Sequence, residues 1–343
     1  MKNKELSIIR LILLSVFITV SAAQDFSKVG TSVGQFLKIP IGAKAISMGG
    51  AYSAILDDAS SIYWNPSGIA SREQSLSVYV THNRWIADLD HNFFGMILAL
   101  DENSALGLHF ISLSSGDIER TTIENPKGTG TYFDATDLSI GISYARYLVD
   151  NISVGGTAKY IQQRIWNSKA TAIAFDLGIL LHTGFKGLTL GFSFQNFGPE
   201  LEMDGSDLIR TVDQDPNSSI NPPVEAKLET ESYNLPVNYR VSIAMPIIGD
   251  NSLLEFDSSE LLLAIEGRHF NENFETYSFG MEYGFMKVLY FRTGYTLNTD
   301  EEGLTLGVGV KIPTFVSEVG FDYAYSEFGV FDAVHTFSLI LDF

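Results

Sequence analysis

Along most of this chain, apolar and polar side chains alternate with a period of two. In 187–197 (GLTLGFSFQNF), Leu188, Leu190, Phe192 and Phe194 fall on one side, and Gly187, Thr189, Gly191, Ser193 and Gln195 on the other. The segment 303–312 places Leu304, Leu306, Val308, Val310 and Ile312 on one face; 137–146 places Leu138, Ile140, Ile142 and Tyr144; and 277–285 places Tyr277, Phe279, Met281, Tyr283 and Phe285. Such alternation predicts strands, because successive side chains leave an extended backbone on opposite sides. About fourteen segments qualify, near 75–82, 91–100, 105–115, 137–148, 151–164, 170–183, 187–197, 237–248, 259–270, 273–285, 288–298, 303–312, 316–325 and 334–343. An even number is what an up-and-down barrel requires.

The second face decides between a soluble sandwich and a barrel in lipid. It is rich in Gly, Ser, Thr and Ala, with charges inserted singly, as at Asp176, Glu282 and Asp322. The apolar face is strongly aromatic, and Tyr144, Tyr147, Tyr283 and Tyr325 sit towards strand ends. Apolar outward, small or polar inward, aromatics at the interfaces: this is the signature of lipid-facing barrel strands. Closure also removes the edges that so many strands would otherwise expose. The expectation is an all-β fold, a transmembrane antiparallel β-barrel of about 14 strands over residues 73–343. Short turns such as 101–104, 149–151 and 184–187 alternate with longer connections. The longest, 198–236, holds nine acids against Arg210 and Lys227. Short periplasmic turns and long outer loops place it at the cell surface. Its acids follow no fixed ligand spacing, so a solvated, mobile loop stands beside a calcium-collecting one.

The N-terminus and composition add the compartment. Lys2, Lys4 and Arg10 precede an apolar run from Leu11 to Val20, and Ser21 and Ala23 supply small residues before a cut at Gln24. That reads as a secretory signal peptide, residues 1–23, since the run is about half the ~20 residues a spanning helix needs. No later segment has eighteen consecutive apolar residues, so no transmembrane helix is expected. The chain has 343 residues, no Cys and a formal charge of −19, which excludes thiolate chemistry, Cys-ligated zinc and a basic nucleic-acid footprint. The last strand alternates Phe337, Leu339, Leu341 and Phe343, and ends on an aromatic residue, resembling the signal read by the outer-membrane barrel assembly machinery. The six histidines are scattered, with no nucleophile elbow and no zinc or phosphate motif, so no catalytic, cofactor or metal site is expected.

One stretch breaks the period, 57-DDASSIYWNPSGIA-70. Adjacent Asp57 and Asp58 suit acid–base work. The plainer reading makes Asp58 the N-cap of a short helix from Ala59 to about Trp64. Asn65 before Pro66 ends that helix, and Gly68 permits a sharp exit.

The longer run 42-GAKAISMGGAYSAILDDASSIYWNPSGIA-70 resembles the N-terminal signature of the PorV/PorQ-type outer-membrane proteins. They are relatives of the FadL-like outer-membrane transporters, which share a similar "DDAS…NP" segment. The resemblance implies a fourteen-stranded barrel whose N-terminal segment, residues 24–72, folds into the lumen as a plug. It maps Gly42, Ala43, Met48, Gly49, Gly50, Asp57, Asp58, Ala59, Tyr63, Trp64, Asn65 and Pro66 onto that plug, with Tyr63 and Trp64 as anchors. It implies either cargo reception and transfer in type IX secretion, with a translocon and cargo proteins as partners, or passive transport of long-chain fatty acids or other hydrophobic compounds. A structural barrel with a closed lumen is the third reading. All three are non-enzymatic and need no cofactor, and all place the chain in the lipid bilayer of the outer membrane.

Overall fold

The computed structural model describes residues 28–70, 74–213, 223–314 and 317–343; the expected signal peptide, 1–23, lies outside them. Fourteen long strands follow one another: β1 (Leu76–Arg84), β2 (Asp90–Asp101), β3 (Ser104–Ser114), β4 (Ala135–Val149), β5 (Ile152–Ile165), β6 (Ser168–His182), β7 (Thr189–Phe197), β8 (Asn238–Ile248), β9 (Ser259–Phe270), β10 (Thr276–Phe285), β11 (Leu289–Leu297), β12 (Leu304–Pro313), β13 (Glu318–Glu327) and β14 (Ala333–Asp342). Each pairs antiparallel with its sequence neighbour, and β1 pairs with β14 from Ser77↔Asp342 to Arg84↔His335, which closes a fourteen-stranded barrel. Every expected strand is present, with ends shifted by a few residues where turns intrude. The 273–285 segment starts at Thr276 because Asn273 N–H turns back onto the Phe270 carbonyl at 3.2 Å.

The period of two maps onto outside and inside. Phe192, Phe279, Leu306, Ile142, Leu339 and their equivalents face outward and are exposed, while Ser139, Ser143, Thr157, Ser242 and Thr336 face the lumen and are buried. So continuous an apolar belt is a lipid-facing surface. One irregularity matters later. Between β6 and β7 the register shifts at Phe175/Leu177, and Gln195 and Asn196 are both buried. Asn196 adopts a positive φ of 64° and its N–H reaches Asp176 Oδ1 at 2.7 Å, so a luminal carboxylate holds the bulge.

The two barrel ends differ. At one end the turns are mostly short, and Phe343 meets the start of β1, its carbonyl accepting Ser75 N–H at 2.9 Å. The other end carries the long connections. The β3–β4 loop holds a small ribbon, Ile118–Glu119 with Tyr132–Phe133. The described part of the acidic β7–β8 connection carries structure of its own: Ile209–Val212 pairs with Val224–Lys227, Asp204–Gly205 adds to the edge of β6, and Leu201 bridges Tyr233. The physical reason is Leu201, an apolar residue among the acids that is buried in the main core. That core lies within the lumen. It joins Phe36, Ile41, Tyr52, Ile62, Trp64 and Ile69 to the wall residues Tyr79, Phe93, Ile97, Ile161 and Leu180.

Candidate functional site: the luminal segment

Residues 39–70 fill the lumen as compact turns around two short helices, α1 (Ala43–Ser47) and α2 (Ser61–Trp64). Helices this short do not hold themselves together in water, so the wall must hold them. It does so first by shape. Inward glycines of the strands are sockets for the segment's backbone. A Cβ on Gly294 would lie 2.1 Å from Gly49 N, and one on Gly191 would lie 2.1 Å from Ser53 O. Gly155 and Gly178 accept Pro66 and Asn65 in the same way. The small residues of the alternating pattern are therefore where a second layer of chain seats.

Hydrogen bonds fix the seating. Gly49 N–H donates to Thr305 Oγ1 at 3.1 Å, and its carbonyl accepts from Thr296 Oγ1 at 3.2 Å. Gly49 and Gly50 both hold positive φ, 66° and 78°, which makes this Gly-Gly turn cheap for glycine and strained for other residues. Asn65 closes α2 in an extended conformation, φ −162°. Its Nδ2 donates to Ser53 O at 3.0 Å and to the wall carbonyl of Ile179 at 3.2 Å, and its Oδ1 accepts from Ser67 N–H and Ser67 O–H. Pro66 then starts a 3₁₀ turn, Pro66–Ala70.

The paired acids are split between two jobs. α2 starts two residues later than the Ala59 expected for it. The helix begins at Ser61 behind Ser60, and Asp58 Oδ1 accepts the N–H of Ser60 at 2.8 Å, an Asx turn two residues on. Asp57 accepts Tyr52 O–H at 2.7 Å and pairs with Lys44. Lys44 also faces Glu282 at 3.3 Å, and Glu282 and Asp322 hold Arg292 at 2.5 Å each. Burial alone would lower the pKa of Lys44, but Asp57 and Glu282 outweigh it and keep the ammonium well above its ordinary value. Desolvation pushes the other way on Asp57, and Lys44, followed by Lys311, more than reverses it and holds the carboxyl below the usual range.

A second network clamps the other side. Arg240 Nη1 meets Glu266 Oε1 at 2.8 Å, and its guanidinium lies 4.6 Å from the Trp64 ring. Glu266 Oε2 accepts the N–H groups of Tyr52 (3.2 Å) and Ser53 (3.0 Å). Gln195 donates to the carbonyls of Tyr63 and Trp64. Trp64 and Tyr63 also tie the segment to itself: Trp64 Nε1 donates to Ile41 O at 2.9 Å, and Tyr63 O–H to Ile39 O at 3.0 Å. Above Gly49, Gly50 and Trp64 lies a cavity of about 40 Å³, shared with Asn83, Trp85 and Phe328. Waters fit there; a hydrocarbon ligand does not. Among the described residues no three His, Asp or Glu side chains converge as metal ligands. Sequence reasoning placed Glu282 and Asp322 only as isolated charges and Gln195 only as a polar-face residue, and it missed Lys44, Arg240 and Glu266.

A closed antiparallel barrel, apolar outside and filled by a folded segment within, defines an outer-membrane β-barrel with a FadL-like fold. Solved structures agree on the fold. The Pseudomonas putida toluene transporter TodX superposes with a TM-score of 0.56 at 10% identity, covering 88% of this chain and 98% of that one. The CymD monoaromatic hydrocarbon channel gives 0.55 at 14% identity (88% and 97%), and a Pseudomonas aeruginosa FadL homologue gives 0.52 at 12% (88% and 98%). No curated protein matches the chain by sequence. The sequence profile of the type IX secretion system protein PorV matches residues 21–214, more than half of the chain. The chain belongs to the PorV family.

Proposed function

We propose that the protein serves type IX secretion by receiving exported proteins at the outer membrane and handing them on, without enzymatic chemistry. The family match over residues 21–214 carries this reading. The filled lumen supports it, because residues 39–70 packed against the wall leave the barrel's loops and mouth to meet a protein partner. Residues 24–72 act as the plug, with Gly49, Gly50, Asp57, Asp58, Tyr63, Trp64, Asn65 and Pro66 setting its turns and ties. Phe337, Leu339 and Leu341 on the outer face of β14, with Phe343 just beyond its end, present the assembly signal to the barrel assembly machinery. A cleaved signal peptide delivers the chain.

The alternative, passive transport of hydrophobic compounds, draws on the likeness to TodX and CymD, which shows fold alone. One experiment separates the two. Deletion of the gene, followed by mass spectrometry of surface proteins and uptake of a radiolabelled fatty acid and of toluene, is expected to strip surface-attached proteins and leave uptake unchanged. Intact surface attachment with lost uptake refutes the secretion reading.

A further inference from the structure

Among the fourteen long strands, one pairing joins strands far apart in the chain. β1 meets β14, where Thr81 and Ser338 share a hydrogen bond at 2.9 Å across 257 positions of sequence. Every other pair is consecutive. Hairpins close small loops, whereas this seam must hold together the two ends of the whole wall, at a larger cost in chain entropy. The luminal segment is placed to offset that cost, because its two halves are tied to opposite ends of the wall. Residues 43–53 bind the carboxy-terminal strands. Ala43 N–H donates to Ser338 Oγ on β14 at 2.9 Å. Thr305 Oγ1 on β12 donates to Ser47 O at 3.0 Å and accepts Gly49 N–H, and Glu266 on β9 takes the N–H groups of Tyr52 and Ser53. Residues 62–69 bind the amino-terminal strands. Asn65 Nδ2 donates to Ile179 O on β6, and Ser153 Oγ on β5 donates to Ser67 O at 3.1 Å. A Cβ at Gly107 on β3 would lie 3.1 Å from Ile62 Cδ1.

The chain also runs the length of the lumen. Val33 N–H donates to Asn234 O and Gly34 N–H to Gln163 Oε1 at the long-loop end, while Ser75 N–H reaches Phe343 O at the other. On the way its backbone passes Gly191 and Gly294 so closely that a Cβ on either would stand 2.1 Å from it. A finished wall gives such a chain no clearance to slide into place. We propose that the wall closes around the segment: residues 43–53 and 62–69 gather the two ends of the wall and bring β14 to β1 in register, so that the segment is the template for barrel closure. This role goes beyond the secretion reading and is independent of what the finished barrel handles.

The test is the kinetics of refolding the full chain from urea into lipid vesicles, with the closed barrel scored by its faster migration in unheated gels. Thr305→Val keeps the shape of the side chain and removes both bonds of its hydroxyl to the segment. Losing two bonds shifts the folding equilibrium about thirtyfold, and the rates show where that loss falls. A template makes its contacts before the wall closes, so closing is expected to slow about fivefold or more. Asn65→Ala, in the other half of the segment, is expected to slow it likewise. Thr305→Ser keeps the hydroxyl and is expected to close at the wild-type rate. If Thr305→Val and Asn65→Ala close at the wild-type rate and only unfold faster, the segment seats after closure and the proposal is overturned. Slowing at Thr305 alone also overturns it, since a template must hold both ends of the wall. Slow closing of Thr305→Ser would do the same, by tracing the effect to packing within β12 instead of to the segment.

Discussion

The glycine sockets make the sharpest prediction, because two wall glycines, Gly294 on β11 and Gly267 on β9, have opposite surroundings. A methyl group on Gly294 would lie 2.1 Å from Gly49 N and 2.2 Å from the Met48 carbonyl carbon, both backbone atoms that no rotamer change can move. On Gly267 it would meet nothing closer than the Tyr277 ring at 3.9 Å. Gly294→Ala therefore pushes the Met48–Gly49 turn off the wall. The turn then loses its bonds to Thr305 and Thr296, at about 1 kcal/mol net each, and the crowding adds about 1–3 kcal/mol. The seating of residues 39–70 should weaken by about 3–5 kcal/mol, while Gly267→Ala stays within about 1 kcal/mol. Hydrogen exchange of the Gly49, Tyr52 and Ser53 amides in the purified barrel reads this directly, since exchange from a locally opened segment reports its opening free energy. Protection lost in Gly294→Ala, with β-sheet circular dichroism unchanged, is the expected result. If the two alanine variants protect these amides alike, the socket argument is wrong.

Other outcomes follow from the same contacts. Asn65→Ala, which removes bonds to Ser53, Ile179 and Ser67, should make the luminal segment cleavable by protease while the barrel persists; loss of the barrel itself, or no change, would count against the plug. Glu266→Ala leaves Arg240 buried without its carboxylate and should cost about 3–5 kcal/mol, measured by urea unfolding, far more than Glu255→Ala at the surface. Burial would raise the pKa of Glu272, but Lys38, Ser32 and Gln35 outweigh it and hold the carboxyl below its ordinary value. A depressed carboxylate stabilises above its unfolded pKa and stops doing so as pH falls through the folded one. A thiol-reactive maleimide should therefore label Ser32→Cys slowly at neutral pH, and a pH-insensitive thiol reagent should label it faster below about pH 4.

Much of the barrel was legible because two solvents impose one rule. Lipid outside and a packed lumen inside force a period of two on every strand, so β7 and β12 could be read almost to the residue. The bulge at Asn196 was not legible, because its cause, Asp176, lies on the preceding strand and acts through space. Within 57–70, the break at Asn65–Pro66 followed from local sterics. The helix start was placed two residues early: α2 begins at Ser61, and Asp58 accepts the Ser60 N–H ahead of it. The partners of Lys44, Trp64 and Tyr52 are Glu282, Arg240 and Glu266, far along the chain, and no local signal pairs them. The small residues of the inner face were visible, but nothing local told which would be filled by side chains and which by a second layer of backbone.

That second layer bears on where the protein can work. To open a path through the lumen, residues 39–70 would have to leave the wall, parting Gly49 from Thr305 and Thr296, Tyr52 and Ser53 from Glu266, and Trp64 from Gln195. At about 1 kcal/mol net for each bond, these five alone hold an open form near one part in four thousand, before any apolar burial is counted. Reversing that takes a partner with at least as large a preference for the open form, and the cavity beside Gly49, about 40 Å³, has room for waters only. The energetics therefore make residues 39–70 a fixed frame, tied to the wall on several sides at once.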